Sequence, residues 1–201
     1  MSTIPIILLA AGRSSRMGGT DKLMQDIDGQ PLLRRTAEVA RAVAPVIVAL
    51  PPAPHPRHDA LAGLDVRLVP VPDAKEGMNA SLRAALNHLP DTANAAMILL
   101  ADLPDLTVDD LGTLLRSVSE NPNSLIWRGS ASDGTPGHPV VFASCLFPQL
   151  RSLTGDSGAQ SVVRAHRDKV HIEPLPGTHA TRDLDTPLDW ATWRASRQAT
   201  K

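Results

Sequence analysis

The stretch Ile6 to Lys22 reads I-I-L-L-A-A-G-R-S-S-R-M-G-G-T-D-K, and it limits what the chain can become. The apolar run Ile4 to Ala10 has no polar side to turn to water and is bounded by Gly12. Such a run reads as a strand buried on both faces, which requires helices above and below a parallel sheet. In sheets of that kind, ligands gather beyond the carboxyl ends of the strands. The loop that follows holds three glycines, two serines and two arginines and closes on Lys22. Glycine lets backbone N–H groups come close to phosphate oxygens, and Arg13, Arg16 and Lys22 would add charge-assisted hydrogen bonds. The spelling is neither G-x-x-x-x-G-K-[ST] nor G-x-G-x-x-G. From composition alone, a plain glycine turn competes with a phosphate cradle.

The remaining chain supplies the helices. Gly29-Gln30-Pro31 sets a turn with Pro31 at the first helical position, and Leu32, Leu33, Thr36, Ala37, Val39, Ala40 and Val43 recur at helical spacing. Further strands are expected over Val46–Leu50, Val66–Val71, Ala95–Leu100, Ser124–Trp127, Pro139–Phe142 and Val170–Glu173. Helices are expected from Asn79 or Ala80 to Leu89, after Thr107 with Asp110 closing a capping box, over Ser144–Leu150 and Ala159–Ala165, and from Pro187 behind the cap Thr186. Strands alternating with helices through residue 119 predict an α/β fold, three-layer, with a mostly parallel sheet. Four prolines between Pro51 and Pro56 predict a surface loop, with His55 and His58 solvated beside it. Gly129 to Gly137 reads as polar and glycine-rich, and Arg35 and Arg41 as solvated helix arginines. With neither a repeat nor a dividing linker, residues 1–201 read as one domain.

Composition removes whole classes of function. Lys and Arg number 20 against 21 Asp and Glu, so net charge is −1 and nothing predicts bulk binding to nucleic acid or an anionic membrane. Two Phe, three Trp and no Tyr leave the core to Leu, Val, Ile and Ala. The single Cys145 excludes an internal disulfide and a cysteine-based zinc site, fits a reducing compartment, and is expected to be buried as a small apolar residue. No signal sequence is visible and Ile4–Ala11 is too short to span a bilayer, so the cytoplasm is the expected location.

Two carboxylates stand out. Asp102 follows a buried strand at the ligand edge, with Pro104 stiffening the turn. Magnesium takes one or two carboxylates together with substrate phosphates, and Asp102 suits that task as well as it suits a turn. Asp185 precedes the last helix, where Thr186 is the better cap, leaving Asp185 free as a second metal ligand. Asp183 is its rival two residues away. His138, between Gly137 and Pro139, reads either as a ligand group or as a structural turn histidine.

Together these blocks resemble a known family. The opening stretch resembles the L-A-A-G-x-S-x-R-M-G…K-L signature of nucleotidyltransferases that act on molybdopterin and related phosphates. The resemblance continues through Glu76–Leu82, Ala101–Pro104, Pro136–Val140, Gly155–Ala159 and Asp183–Asp189, in the family's order. The G-H-P, G-D-x-G-A and D-x-D-T-P blocks are similar to molybdenum-cofactor cytidylyltransferases. The guanylyl branch typically opens L-A-G-G, and Ala11 stands where that branch has its first glycine, which leans towards CTP.

The resemblance implies a Rossmann-like, glycosyltransferase-A-like sheet, with a nucleotide-binding half to about residue 119 and an acceptor-binding half beyond it. It implies transfer of a nucleoside monophosphate from an NTP to a phosphorylated small molecule, molybdopterin first, with Mg2+ as cofactor. Ala10, Ala11 and Gly12 would meet the base and ribose. Arg13, Ser14 and Arg16 would hold the β and γ phosphates, and Lys22 the α phosphate. Gly77 and Ser81 would border the base or ribose, Asp102 and Asp185 would carry the metal, and His138, Gly137 and the loop Gly155–Gly158 would face the acceptor. A molybdenum hydroxylase or its maturation chaperone would be a protein partner. Transfer to a sugar or alcohol phosphate, guanylyl transfer, a catalytically idle nucleotide-binding maturation factor and an NDP-sugar glycosyltransferase are the competing readings. The last normally needs D-x-D after a central strand, whereas Asp102 is followed by Leu103-Pro104.

Overall fold

The computed structural model describes residues 3–155 and 158–199. The first strand, β1, covers Ile6–Leu9, and a two-residue antiparallel pair, β2 (Asp26–Ile27) and β3 (Gln30–Pro31), leads into helix α1 (Leu32–Arg41). Then come β4 (Val46–Leu50), α2 (Pro56–Ala60), β5 (Arg67–Pro70), α3 (Met78–Leu86), β6 (Ala95–Leu100) and α4 (Val108–Glu120). The remainder is β7 (Ile126–Ser130), β8 (Pro136–Ala143), α5 (Phe147–Arg151), α6 (Gln160–Ala165), β9 (Val170–Pro174) and α7 (Pro187–Ala199).

Among the described residues, seven strands form one sheet in the order β5-β4-β1-β6-β8-β7-β9. All neighbours are parallel except those of β8, which runs antiparallel to both β6 and β7. Successive side chains of a strand point to opposite faces. Ile6 and Leu8 of β1 therefore join Val46, Val48, Met97 and Leu99 on the face covered by α1, α4 and α7. Ile7 joins Ile47, Ala49 and Ile98 on the face covered by α3, α5 and α6. Helices thus cover the sheet on both sides, which explains the unbroken apolar runs and gives the three layers the alternation predicts. No helix among the described residues is long and apolar enough to cross a membrane.

The chain builds outward from β1 to β4 and β5, then crosses back to place β6 on the other side of β1. That reversal opens a crevice at the carboxyl ends of β1 and β6, where an open α/β sheet receives its ligand. The loop Ala10–Lys22 leaves β1 there, and Asp102 leaves β6 there.

Several local expectations shift. Pro31 caps α1 from the short β3 strand rather than opening the helix. The proline-rich loop is shorter than expected, because Pro56 has no N–H to lose at the first turn of α2. His55 caps that helix, its Nδ1 accepting from the Arg57 N–H at 3.3 Å, and His58 Nε2 meets the Pro51 carbonyl at 2.8 Å, so neither is merely solvated. Helix α3 starts at Met78 and stops at Leu86, and β7 and β8 run further than expected, because pairing across a turn at Ala131–Thr135 draws part of the polar stretch into the sheet. Cys145 is exposed in a tight turn at Ser144–Leu146 rather than buried. Arg41 is tied to Asp65.

The start of β8 is clamped by the turn Thr178–Thr181. His138 N donates to the Ala180 carbonyl at 2.8 Å, and a Cβ on Gly137 would lie 1.9 Å from that same oxygen. Overpacking against backbone cannot be relieved by a rotamer change. Gly137→Ala is therefore expected to destabilise the fold by about 3 kcal/mol, read as a lowered urea midpoint with unchanged slope.

Candidate active site

The glycine-rich loop is held in shape from within. Ser14 takes a left-handed conformation (φ 52°), and Gly18 and Gly19 carry φ values of 60° and 94°, which reverse the chain with little strain. Buried Met17 anchors the short turn Ser15–Met17, and Thr20 Oγ1 donates to the Met17 carbonyl at 2.7 Å. Asp21 then caps the turn Lys22–Met24, its Oδ1 accepting from Leu23 N at 3.0 Å.

Beneath the loop lies Arg57, only 2 % exposed. Its Nε and Nη2 donate to the two Asp21 oxygens at 2.8 and 2.7 Å, and its Nη1 donates to the Ala10 carbonyl at 2.6 Å. One guanidinium thus joins the end of β1, the end of the loop and α2. Burial pushes the Asp21 carboxyl up, but the Arg57 hydrogen bonds and charge, with the Leu23 N–H and Ser14, outweigh it and hold it below its ordinary value. Ser14 belongs to this framework: its hydroxyl donates to Asp21 Oδ1 at 3.2 Å and accepts from Lys22 N at 3.1 Å. Ser14 is placed beside Arg13 in the loop with its hydroxyl engaged inside this framework. Ser15, its neighbour, lines the adjacent cavity.

That cavity has a volume of about 310 Å³ and is lined by Ala10, Ala11, Gly12, Arg13, Lys22, Gly77, Ser81 and Asp102, among others. Seven of the residues assigned to nucleotide and one metal candidate therefore meet in one space. Gly77 (φ 107°) caps α3, and Ser81 is buried one turn along it. Nothing stands within 4 Å of a Cβ built on Gly12, so the backbone there borders open space.

Lys22 is 14 % exposed and sits between two carboxylates. Its ammonium donates to Asp102 Oδ2 and, at 2.5 Å, to Asp185 Oδ1. Burial pulls the Lys22 pKa down, but the charges and hydrogen bonds of Asp102 and Asp185 outweigh burial and hold it above its ordinary value. Arg16, largely exposed, holds the other Asp185 oxygen. Asp185 is free to do this because Asp189 serves the cap, its Oδ2 accepting from Thr186 N at 2.7 Å and Asp185 N at 3.1 Å. Leu184 N donates to the Asp102 carbonyl at 3.2 Å and keeps the two acidic segments together. Asp183 makes no such contact with Lys22; partial burial and the nearby charges of Asp102 and Asp185 hold its carboxyl above the usual range.

Two carboxylates facing one cation fit a divalent metal that completes its shell with substrate phosphates and water. Asp102 Oδ1 is buried without a partner, which leaves an acceptor oxygen available for such an ion. No group of three or more His, Cys, Asp or Glu converges among the described residues, so a resident protein-only cage is not present there.

His138 stands outside this cavity, in a second one beyond β6. The expected acceptor loop is described only in part, since Asp156 and Ser157 lie outside the described residues. Arg57, Asp21 and Ser15 are the residues that sequence reasoning passed over. Asp21 and Ser15 lie within the opening stretch, whereas Arg57 sits in a proline-rich segment with no motif around it. Asn79, fully buried and donating to the Thr154 carbonyl at 2.8 Å, is a further omission.

Removing one member of a buried pair strands the other. Arg57→Ala is expected to cost about 3 kcal/mol and to weaken nucleotide binding by loosening the loop. The depressed Asp21 pKa stabilises the fold above pH 4, and that contribution is lost as pH falls from about 4, the unfolded value, through the lower folded value. Urea unfolding between pH 2 and 6 should show a shallower acid loss in Asp21→Asn than in the wild type.

Comparison with known proteins agrees with this architecture. Residues 6–170 match the MobA-like NTP transferase domain. The chain is 30% identical over 189 residues to the nicotine blue oxidoreductase of Paenarthrobacter nicotinovorans, covering 90% of this chain and 91% of that protein. It is 27% identical to a probable molybdenum cofactor guanylyltransferase of Rhodopirellula baltica (91% of this chain, 88% of that one). It is 24% identical to the molybdenum cofactor cytidylyltransferase of Escherichia coli (96% of both). Among solved structures, Rv0371C of Mycobacterium tuberculosis in complex with manganese superposes with a TM-score of 0.80 at 28% identity, covering 97% of this chain and 100% of that one. The chain belongs to the MobA-like NTP transferase domain family and is a nucleotidyltransferase.

Proposed function

We propose that the protein transfers CMP from CTP to the phosphate of molybdopterin carrying molybdenum, releasing pyrophosphate. The observation that carries this reading is the meeting of Lys22, Asp102 and Asp185 beside the open face of a glycine-rich loop. The acceptor's phosphate monoester has a second pKa near ~6 and is largely ionised at neutral pH, so it needs no general base. Its oxygen attacks the α phosphorus of CTP. The bond from that phosphorus to the bridging oxygen breaks, and the electron pair leaves with pyrophosphate. The protein's tasks are alignment and neutralisation of charge.

In this reading the Gly12 and Arg13 backbone, with the Arg13 and Arg16 side chains, receives the β and γ phosphates. Lys22 serves the α phosphate, Ser14 and Arg57 keep the loop in place, and Gly77 and Ser81 border the nucleoside. Asp102 and Asp185 would hold Mg2+, which when bound supplies cationic stabilisation of the transferring group. The manganese complex of the similar Rv0371C supports a divalent ion here. Residues to about 119 carry the nucleotide and the later ones the acceptor, within one domain. Asp185 joins both halves through Lys22. Cytoplasmic delivery of the product to a molybdenum hydroxylase or its maturation chaperone completes the reading.

The preference for CTP leans on Ala11. Ala11 is buried and lines the cavity, at the position where the guanylyl branch opens with its first glycine. With acceptor and Mg2+, pyrophosphate release is expected from CTP and not from GTP; the reverse would overturn the base assignment. Ala11→Gly should raise kcat/KM for GTP relative to CTP by about tenfold, the scale of one methyl group in a pocket. Asp102→Ala should lower kcat by about a hundredfold or more, and unchanged turnover at saturating Mg2+ would remove Asp102 from the role.

A further inference from the structure

A second cavity, of about 270 Å³, opens on the α3 and α6 side of the sheet. Its walls include Leu9, Leu82, Val140, Phe142 and Val163, which are apolar. Three polar side chains, Arg128, His138 and Gln160, line it, and Arg128 alone among them carries a charge. Arg128 reaches in from β7. Its Nε donates to the Gly137 carbonyl at 2.9 Å and its Nη2 to the Pro136 carbonyl at 3.3 Å, which fixes the guanidinium but brings it no negative charge. Burial alone holds Arg128 below its ordinary pKa, with no acidic group of the described residues opposing it. His138 Nδ1 is buried without a partner. Burial pushes the His138 pKa down to about 4, and the charge of Arg128 adds to that shift, so the ring is neutral at neutral pH.

Arg128 is half-buried, so its charge is partly stripped of water with no counter-charge beside it, and a ligand that brings an anion offsets that loss. Apolar walls with a few placed polar groups suit a ring-shaped body. We propose that this cavity binds ring-bearing anions and that Arg128 is the residue selecting for their negative charge. Leu9 and Met78 line both this cavity and the nucleotide-side one. A molecule seated here can therefore direct a phosphate towards Lys22, and in assigning the cavity to the acceptor's body the inference rests on the transfer reading above. It adds that the acceptor carries a second anionic group, apart from the reacting phosphate, and that Arg128 recognises it.

Two fluorescent probes of the same shape test the charge selection. 1-Anilinonaphthalene-8-sulfonate carries an anion, and N-phenyl-1-naphthylamine lacks it. Wild-type protein is expected to bind the sulfonate at least tenfold more tightly than the neutral probe. Arg128→Gln should lose about tenfold on the sulfonate and stay within twofold on the neutral probe, while Arg128→Lys keeps most of the preference. Equal weakening of both probes, or of neither, would overturn the proposal, as would failure of the wild type to bind either. Val163→Trp fills the cavity and should abolish binding of both; persistent binding would place the probes elsewhere and contradict the site, even if Arg128→Gln does not fold. Absence of the probe preference in the wild-type protein with intact CTP turnover would sink the role of Arg128 alone. Absent turnover with the preference intact would sink the transfer reading alone.

Discussion

An ammonium shared between two carboxylates ties this structure together. Lys22 leaves the loop after β1, Asp102 ends β6, and Asp185 stands just before α7, so three segments far apart in sequence meet at one nitrogen. Like charges at Asp102 and Asp185 repel at this distance, and the lysine between them offsets that repulsion. A substrate that brings phosphates and a divalent ion changes the balance: the ion can take over the carboxylates, and the lysine gains an anionic partner in the phosphate. The same residues thus hold the free protein together and present the charges that transfer requires.

The sheet order makes this meeting possible. Because the chain reverses direction of growth at β1, the ends of β1 and β6 are neighbours, and whatever follows each strand must share one crevice. Arg57 then fixes the loop from below by holding Asp21 and the Ala10 carbonyl. The family's sheet is paired with different names among its relatives, an oxidoreductase beside transferases. Function is therefore argued from these side chains rather than from the architecture.

What could be read in the sequence follows from how local each signal was. Val46–Leu50 and Ala95–Leu100 have the bounds that their apolar runs suggest, since a strand buried on both faces declares itself without context. The capping boxes at Thr107 and Thr186 depend on residues three apart and were equally plain. The strands β7 and β8 run past their apolar stretches because pairing, not composition, draws residues such as Gly129 and Gly137 into a sheet. The position of Ser14 in the loop is plain from the motif, whereas the donation of its hydroxyl to Asp21 is a contact no pattern names. Arg57 was invisible for the same reason: its burial comes from a contact 36 residues away. The sequence favours Asp185 over its rival Asp183 only through the cap at Thr186, and it is the path of the chain past the Asp102 carbonyl that places Asp185 on the lysine.

The central claim is that Asp102 and Asp185 form a metal site completed by nucleotide phosphates. Binding of Mn2+ followed by electron paramagnetic resonance, with and without CTP, tests it most directly. The account predicts weak binding to the protein alone, where Lys22 and Arg16 already pair with the carboxylates, at least tenfold tighter binding once CTP is present, and loss of that gain in Asp102→Ala. Mn2+ binding that is indifferent to CTP and unchanged in Asp102→Ala would contradict it.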